Sequence, residues 1–209
     1  MHKGIFITIE GLDGSGKSTQ IPRIKSFLEE KGYEVLLTRE PGGTIIGEKI
    51  RQILLDRDHK EISAVTEALL YAASRAQHVE QVIMPALKEG KAVLSDRFVD
   101  SSIAYQGKGR GLGFKAIVDI NEFAVCGLKP DITILLDIDP EVGLDRVKAA
   151  KGADRLEQEK LDFHRKVYEG YKDLADMYSD RIKVIDANKT IEEISREIKD
   201  KLNNIVRKG

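Results

Sequence analysis

The stretch GLDGSGKST, residues 11–19, decides the fold of this chain. Gly11, Gly16, Lys17 and Ser18 match the pattern G-x-x-x-x-G-K-[ST], in which backbone amides cradle phosphates, the lysine reaches the β- and γ-phosphates and the hydroxyl holds Mg²⁺. The apolar run GIFITIE before it predicts a buried parallel strand, and QIPRIKSFLEEKG after it has the apolar spacing of one helix face. The loop therefore lies between a strand and a helix N-terminus, where the helix dipole favours an anion.

The composition limits the classes of protein to which this chain can belong. The chain has 209 residues, of which 41% are hydrophobic, so it can bury a sizeable core, and we expect residues 1–209 to form a single domain. The net charge of −1 offers no basic field for nucleic acid or an anionic membrane. The lone Cys126, in the apolar pattern FAVCG, predicts a core residue and a reducing cytosol, and no apolar run is long enough to span a bilayer. These features predict a cytoplasmic protein without nucleic-acid or membrane partners.

A pattern of helix, glycine, buried strand and polar loop recurs along the chain. It appears in EEKGYEVLLTRE, LKEGKAVLSDRF and AVCGLKPDITILLDID, and YSDRIKVIDANK adds a last strand. Together with the first strand this predicts an α/β fold, with a five-stranded parallel sheet flanked by helices on both faces. In such sheets ligands bind at the carboxyl ends of the strands.

Charged residues follow three of the predicted strands. Arg39, after the second strand, is placed to meet a second anion, although a surface ion pair is the alternative. Asp96 and Arg97 close the third strand, and an acid there is a candidate for holding Mg²⁺ through water. Asp137 ends another apolar run and is the rival acid, but we favour Asp96 because an arginine fork for phosphate stands beside it.

Two segments carry side chains that suit a nucleobase. In isolation, however, Tyr71 in the core with Arg75 in solvent is the alternative for the first, and the second, residues 101–111, is only a polar loop. Tyr71 and Arg75 are four residues apart on a predicted helix, so that one could stack on a base while the other donates to a carbonyl. Gln106, in the polar loop SSIAYQGKGRG, can donate and accept as the N3–C4 edge of a pyrimidine requires. The neighbouring His78 is expected at the surface or behind the site, since nothing marks it as a base.

Six stretches together resemble the motifs of thymidylate kinases, in the order of that family and over essentially the whole chain: IEGLDGSGKST, TREPGGT, YAASRAQH, LSDRF, SSIAYQGKGRG and DRLEQE. The resemblance implies a P-loop nucleoside monophosphate kinase fold and transfer of the γ-phosphate of ATP to dTMP, giving dTDP, with Mg²⁺. The family is generally homodimeric, so a homodimer is expected.

The resemblance also implies residue roles. Residues expected to act in catalysis are Asp13, Lys17, Arg97 and Arg155. ATP is expected to contact Gly11, Leu12, Asp13, Gly14, Ser15, Gly16, Lys17, Ser18 and Thr19, with residues 186–193 bordering the adenine. The dTMP site is expected to comprise Asp13, Arg39, Arg51, Tyr71, Arg75, Arg97, Ser101, Ser102, Tyr105 and Gln106. The metal ligands are expected to be Ser18 and Asp96.

The charged segment of residues 147–160 is the candidate lid. The phosphate-binding loop has no cation before Lys17, so an arginine from the lid should meet the γ-phosphate, and Arg155 matches the family best. Lys148 and Lys151 are weaker candidates because they lack the fork of a guanidinium. The alternative is that Arg155 forms a surface pair with Glu157 or Glu159.

Two rival functions remain open at this point. One is another small-molecule kinase with the same loop, for AMP, guanylate, shikimate or dephospho-coenzyme A. The other is a GTPase switch, which would read guanine with Asn-Lys-x-Asp. Here Asn188, Lys189 and Thr190 are followed by Ile191, so the aspartate of that element is missing.

Overall fold

The computed structural model describes residues 4–149 and 154–206. Its five strands form one sheet in the order β2-β3-β1-β4-β5, and every neighbouring pair is parallel. The strands are β1 (Ile5–Glu10), β2 (Val35–Arg39), β3 (Ala92–Asp96), β4 (Ile132–Asp137) and β5 (Ile182–Asp186). The predicted five-stranded parallel sheet is confirmed.

Helices connect the strands. The α-helices in the described residues are α1 (Lys17–Glu30), α2 (Ile45–Leu55), α3 (Ala64–His78), α4 (Met84–Lys88), α5 (Val99–Ser102), α6 (Phe114–Ala124), α7 (Pro140–Ala149), α8 (Leu161–Met177) and α9 (Ile191–Asn203). Two π-helical segments, Val79–Ile83 and Ile103–Gly109, continue α3 and α5. In this part of the chain no helix is long and apolar enough to cross a membrane.

Apolar side chains cover both faces of the sheet. Along β1, Ile5, Ile7 and Ile9 belong to the larger core cluster, whereas Phe6 packs with Val93 in a second one. Alternate residues of a strand point to opposite faces, so the two clusters lie on opposite sides. This arrangement explains why the strands read as continuous apolar runs rather than as alternating patterns.

Local signals fix where helices begin and end. Gly32 has a φ of +91° just after α1, as the sequence predicted for a helix C-terminus. Asp139 precedes α7, and its Oδ1 accepts a hydrogen bond from the amide of Glu141 at 2.8 Å, with Pro140 as the first helical residue. The carboxyl ends of β1, β3 and β4 therefore lead directly into ordered turns and helices.

Two local expectations are wrong. The segment 101–111, read as a polar loop, is helical over most of its length, because Ile103, Ala104 and Tyr105 are buried and the segment packs against α8. Cys126 is exposed rather than in the core, because it adopts a left-handed conformation, with φ of +50°, in the turn after α6. Neither change affects the path of the sheet.

Candidate active site

The loop between β1 and α1 closes around its own lysine. Lys17 is buried, and its Nζ donates to the carbonyl oxygens of Gly11 and Leu12, both at 3.0 Å. Burial and the charge of Arg97 lower the pKa of Lys17 to about 8, against the opposing effect of Asp13. Gly14 packs against α7 so closely that a Cβ would lie 2.3 Å from the carbonyl oxygen of Gly143. The loop thus holds a desolvated cation at the N-terminus of α1.

A cavity opens over this loop. It is lined by Asp13 through Gln20, by Asp96, Arg146 and Glu157, and by four residues after β5, namely Ala187, Lys189, Ile191 and Ile194. Seven of the nine residues predicted to bind ATP line this cavity. The other two, Gly11 and Leu12, line a neighbouring cavity beside β4. The position of residues 187–194 agrees with the predicted adenine border, which stays a prediction.

Two oxygen-bearing side chains at this cavity suit a magnesium ion. Ser18 is exposed in it, and Asp96 carries a buried Oδ1 that has no hydrogen-bond partner in the described part of the chain. The rival Asp137 lines the separate cavity beside β4 together with Tyr168 and Lys172. No group of three or more acidic, histidine or cysteine side chains that could hold a metal ion occurs among the described residues, so a metal here would need phosphate and water oxygens as further ligands.

A second cavity adjoins the first. It contains all ten residues predicted to bind dTMP, which are Asp13, Arg39, Arg51, Tyr71, Arg75, Arg97, Ser101, Ser102, Tyr105 and Gln106. Four residues line both cavities: Asp13, Lys17, Asp96 and Glu157. We call the first the loop cavity and the second the acceptor cavity.

Arg97 lines the acceptor cavity and pairs with Asp13, which lines both cavities. Its backbone is left-handed, with φ of +69°, and its guanidinium donates to Asp13 Oδ1 at 2.5 Å, to Ser101 Oγ at 3.1 Å and to Tyr171 Oη at 3.2 Å. Burial alone would raise the pKa of the Asp13 carboxyl, but the charges of Arg97 and Lys17 outweigh it and lower the pKa to about 2. Asp13 is therefore ionised and fixes Arg97.

The sequence reading missed Glu10, which lies behind Arg97. This fully buried carboxyl accepts hydrogen bonds from the Phe98 amide at 2.7 Å, Ser101 Oγ at 2.5 Å and Tyr171 Oη at 2.9 Å. Burial and the neighbouring Asp100 raise the pKa of Glu10 to about 7, against the charge of Arg97. The sequence offered one signal for this residue, namely an acidic side chain at the end of an apolar predicted strand.

Arg75 is held rigidly at the far wall of the acceptor cavity. Its Nε donates to Glu40 Oε2 at 2.6 Å, its Nη2 donates to the Phe98 carbonyl at 3.1 Å, and its Nη1 donates to Asn121. His78 contacts the other oxygen of Glu40 at 3.1 Å and is fully buried, so it lies behind the site and not at the surface. Three of the five N–H donors of Arg75 are engaged, and the other two have no hydrogen-bond partner in the described part of the chain.

Arg39 and Arg51 add positive charge at the mouth of the acceptor cavity. Arg39 is half exposed and donates to Glu48 Oε2 at 3.0 Å, so the alternative ion pair exists alongside the cavity position. Arg51 donates to the Pro41 carbonyl at 2.9 Å. Together with Lys17, Arg75 and Arg97 they give this cavity five cationic side chains.

The structure does not bring Arg155 to the phosphate-binding loop. Its side chain is buried and donates to the Leu54 carbonyl at 2.8 Å and to Glu67 Oε2 at 2.6 Å, and it lines neither cavity. In this conformation the carboxylate of Glu67 holds the guanidinium, so the contact between Arg155 and the γ-phosphate, which was predicted for a closed lid, stays a prediction. The alternative pairing with Glu157 or Glu159 is not observed either. Lys151 lies outside the described residues, as does the side chain of Lys148.

A different arginine reaches the loop. Arg146 of α7 is exposed, donates to the Gly14 carbonyl at 3.2 Å and lines the loop cavity. The sequence reading overlooked it because it precedes the charged segment taken as the lid. The sequence offered one signal for Arg146, namely its position in the helix that follows β4. That helix begins at the same edge of the sheet as the phosphate-binding loop.

Comparison with known proteins agrees with this geometry. The family model described as "Thymidylate kinase" matches residues 9–198. Curated thymidylate kinases of Geobacillus sp. (strain WCH70) and Clostridium novyi (strain NT) are 55% and 50% identical to the chain. The first alignment covers 92% of each chain, and the second covers 95% of this chain and 98% of the relative.

A solved structure shows the same architecture. The crystal structure of thymidylate kinase from Ehrlichia chaffeensis is 33% identical in sequence, with a TM-score of 0.77, over 95% of this chain and 98% of that one. The five-stranded parallel sheet is therefore the fold of a P-loop nucleoside monophosphate kinase. Because a family model matches residues 9–198 and a curated relative is 55% identical in sequence, the chain belongs to the thymidylate kinase family.

Proposed function

We propose that this thymidylate kinase passes the γ-phosphate of ATP from the loop cavity to dTMP in the acceptor cavity, giving dTDP. The observation that carries this proposal is the shared wall, since Asp13, Lys17, Asp96 and Glu157 line both cavities. Phosphoryl transfer needs donor and acceptor oxygens held in line and positive charge around the oxygens in transit. The shared wall contains one cation, Lys17, and a second cation, Arg97, lies beside it against Asp13. These two side chains supply positive charge near the place of transfer.

On the donor side, residues 11–19 bind the phosphates of ATP and residues 186–193 border its base. The ammonium group of Lys17 donates hydrogen bonds to two neutral carbonyl oxygens at the helix N-terminus. A phosphate of ATP would replace these acceptors with charged oxygens, which form stronger hydrogen bonds. Ser18 and Asp96 would hold a magnesium ion, which would supply positive charge to neutralise the β- and γ-phosphates. The unpartnered Oδ1 of Asp96 supports that role.

On the acceptor side, Arg39, Arg51 and Arg97 bind the dTMP phosphate. The acceptor phosphate is already anionic, so no strong general base is needed, and His78, which lies behind the cavity, is engaged by Glu40 and Thr38. Tyr71 stacks on the base and Arg75 donates to its C4 carbonyl. Ser101, Ser102 and Tyr105 line the base and sugar pocket.

Substrate choice separates this proposal from its rivals. We expect transfer from ATP to be most efficient with dTMP, about 10- to 200-fold less efficient with dUMP because one methyl group is lost, and weaker still with AMP. A coupled assay with dTMP, dUMP, dCMP and AMP in parallel measures kcat/KM for each. Preference for AMP would indicate another nucleotide kinase, and GTP hydrolysis without any acceptor would indicate a GTPase.

We also propose that Arg146, and not Arg155, contacts the phosphates of ATP from the segment after β4. Arg146 is exposed, so Arg146→Ala should leave thermal stability and dTMP affinity unchanged while kcat falls at least about 100-fold, towards the range of other arginine fingers. Arg155→Ala removes a buried partner of Glu67 and should instead lower the midpoint of thermal unfolding. Stopped assays at saturating substrates, with melting curves, measure both.

The opposite pattern would restore the lid role predicted for Arg155. An Arg146→Ala protein that keeps more than half of the wild-type kcat would contradict the Arg146 assignment. The assignment of residues 147–160 as a lid stays a prediction, because residues 150–153 lie outside the described part of the chain.

The protein is further proposed to act as a cytoplasmic homodimer with one domain per chain. Helices α2, α3 and α6 pack side by side and carry exposed apolar side chains, among them Ile46, Ile53, Val65, Leu69 and Phe123. Phe123 is 88% exposed, which is unusual for an aromatic residue on a monomer surface. Burying this face against a second copy would remove that area from water.

Sedimentation velocity tests the dimer. We expect the wild-type protein to sediment with twice the mass of the chain at micromolar concentration, and Leu69→Glu on α3 to sediment as a monomer because a charge enters the apolar face. Met177→Glu on α8, equally exposed but on another element, is the matched control and should remain dimeric. A monomeric wild-type protein, or a dimeric Leu69→Glu variant, would contradict this interface.

A further inference from the structure

Glu67 of α3 is a fully buried carboxyl group to which the roles above assign nothing. Its Oε1 accepts hydrogen bonds from Gln106 Nε2 at 2.9 Å and from Arg110 Nε at 3.1 Å. Its Oε2 accepts from Arg110 Nη2 at 3.1 Å and from Arg155 Nη2 at 2.6 Å. One carboxyl group therefore joins the π-helical segment that carries Gln106 to the segment that carries Arg155.

The two arginines keep this carboxyl group ionised. Burial alone would raise the pKa of Glu67, but the hydrogen bonds and charge of Arg110, with those of Gln106 and Arg155, lower it below its usual value. An ionised carboxylate has acceptors and no donor. Every group that touches Glu67 must therefore offer it a hydrogen.

This requirement fixes the side-chain amide of Gln106. An amide presents NH₂ on one branch and a carbonyl oxygen on the other, and only the NH₂ branch can face an ionised carboxylate. Gln106 lines the acceptor cavity, whereas Glu67 does not. With Nε2 held on the Glu67 side, Oε1 is the branch left for a ligand, and rotating the amide by a half turn would set an oxygen against the carboxylate.

We propose that Glu67 is a positioning residue for base specificity, which holds Gln106 so that Oε1 accepts a hydrogen bond from N3–H of the bound base. Thymine and uracil carry a hydrogen at N3, whereas cytosine carries a lone pair there. Arg75, with donors to spare, meets the C4 carbonyl that cytosine also lacks. This inference rests on the proposed function, since it takes the base of dTMP to lie against Gln106.

Cytosine in this site would place a lone pair against Gln106 Oε1. Sites built to hydrogen-bond a substrate reject analogues that leave the buried group unpaired by about 10⁴–10⁵, well above the effect of a methyl group. Glu67→Gln removes the constraint, because an amide at position 67 can donate as well as accept. Gln106 can then turn and present NH₂ to cytosine.

The test compares kcat/KM for dTMP and dCMP, at saturating ATP, in wild type, Glu67→Gln and Arg110→Lys. Arg110→Lys is the matched control, because it takes away the guanidinium fork from the same carboxylate but keeps the positive charge that holds Glu67 ionised and leaves the contact to Gln106 in place. We expect the dTMP/dCMP ratio to fall at least about tenfold in Glu67→Gln and to stay within about threefold of wild type in Arg110→Lys. Equal losses for both nucleotides in Glu67→Gln, or an equal fall of the ratio in Arg110→Lys, would overturn the proposal.

Two further measurements cover a Glu67→Gln protein that does not fold. Glu67→Asp keeps the charge for both arginines but withdraws the carboxylate from Gln106, so the ratio should fall here also, and an unchanged ratio would overturn the proposal. In the wild-type protein, calorimetry should give a dissociation constant for dCMP at least about 100-fold above that for dTMP, and similar values would overturn it. Absence of dTMP turnover in wild type would refute the proposed function, while the two dissociation constants would still decide the role of Glu67.

Discussion

The ion pair between Asp13 and Arg97 is the contact on which both cavities depend. Asp13 belongs to the loop after β1, and Arg97 follows β3, which pairs with β1 as its neighbour in the sheet. A left-handed backbone at a non-glycine residue costs of order 1–3 kcal/mol, and Arg97 adopts it while its amide donates to the Ile9 carbonyl at 3.0 Å. The strained turn aims the guanidinium back across the strand ends, where Asp13 holds it.

Charge balance explains how so many ionised groups are buried together. Lys17 and Arg97 are compensated by Asp13, and Glu10 lies behind them with a raised pKa. Removing one member would leave an uncompensated charge, which costs more than the pair itself contributes. The cluster therefore behaves as a unit that holds Lys17 and Arg97 beside Asp13, which lines both cavities.

Sequence reasoning located the residues that follow the strands because their position depends on local rules. The glycine-lysine loop, Arg39, Asp96 and Arg97 all occupy strand ends, and a parallel sheet brings such ends to one edge. The family resemblance then supplied the acceptor residues, and the structure places all ten in one cavity. Their individual roles remain predictions.

Other features could not be read from the sequence because distant partners decide them. Arg155 pairs with Glu67, which precedes it by 88 positions, and Arg146 reaches the loop because α7 packs on Gly14. His78 is buried because Glu40 and Thr38 close over it. In each case the position of the side chain depends on a charge or hydrogen bond from a residue distant in the sequence. A pattern of neighbouring residues cannot predict such a contact.

A double-mutant cycle on the Asp13–Arg97 pair tests the central claim most directly. Calorimetry would measure the affinity for dTMP in wild type, Asp13→Asn, Arg97→Lys and the double variant. If Asp13 acts by holding Arg97 at the acceptor phosphate, each single change weakens binding and the double variant loses little more than the weaker-binding single one, with a coupling of about 1 kcal/mol or more. Losses that add to within about 0.5 kcal/mol would show that the two side chains act independently, and would contradict the account.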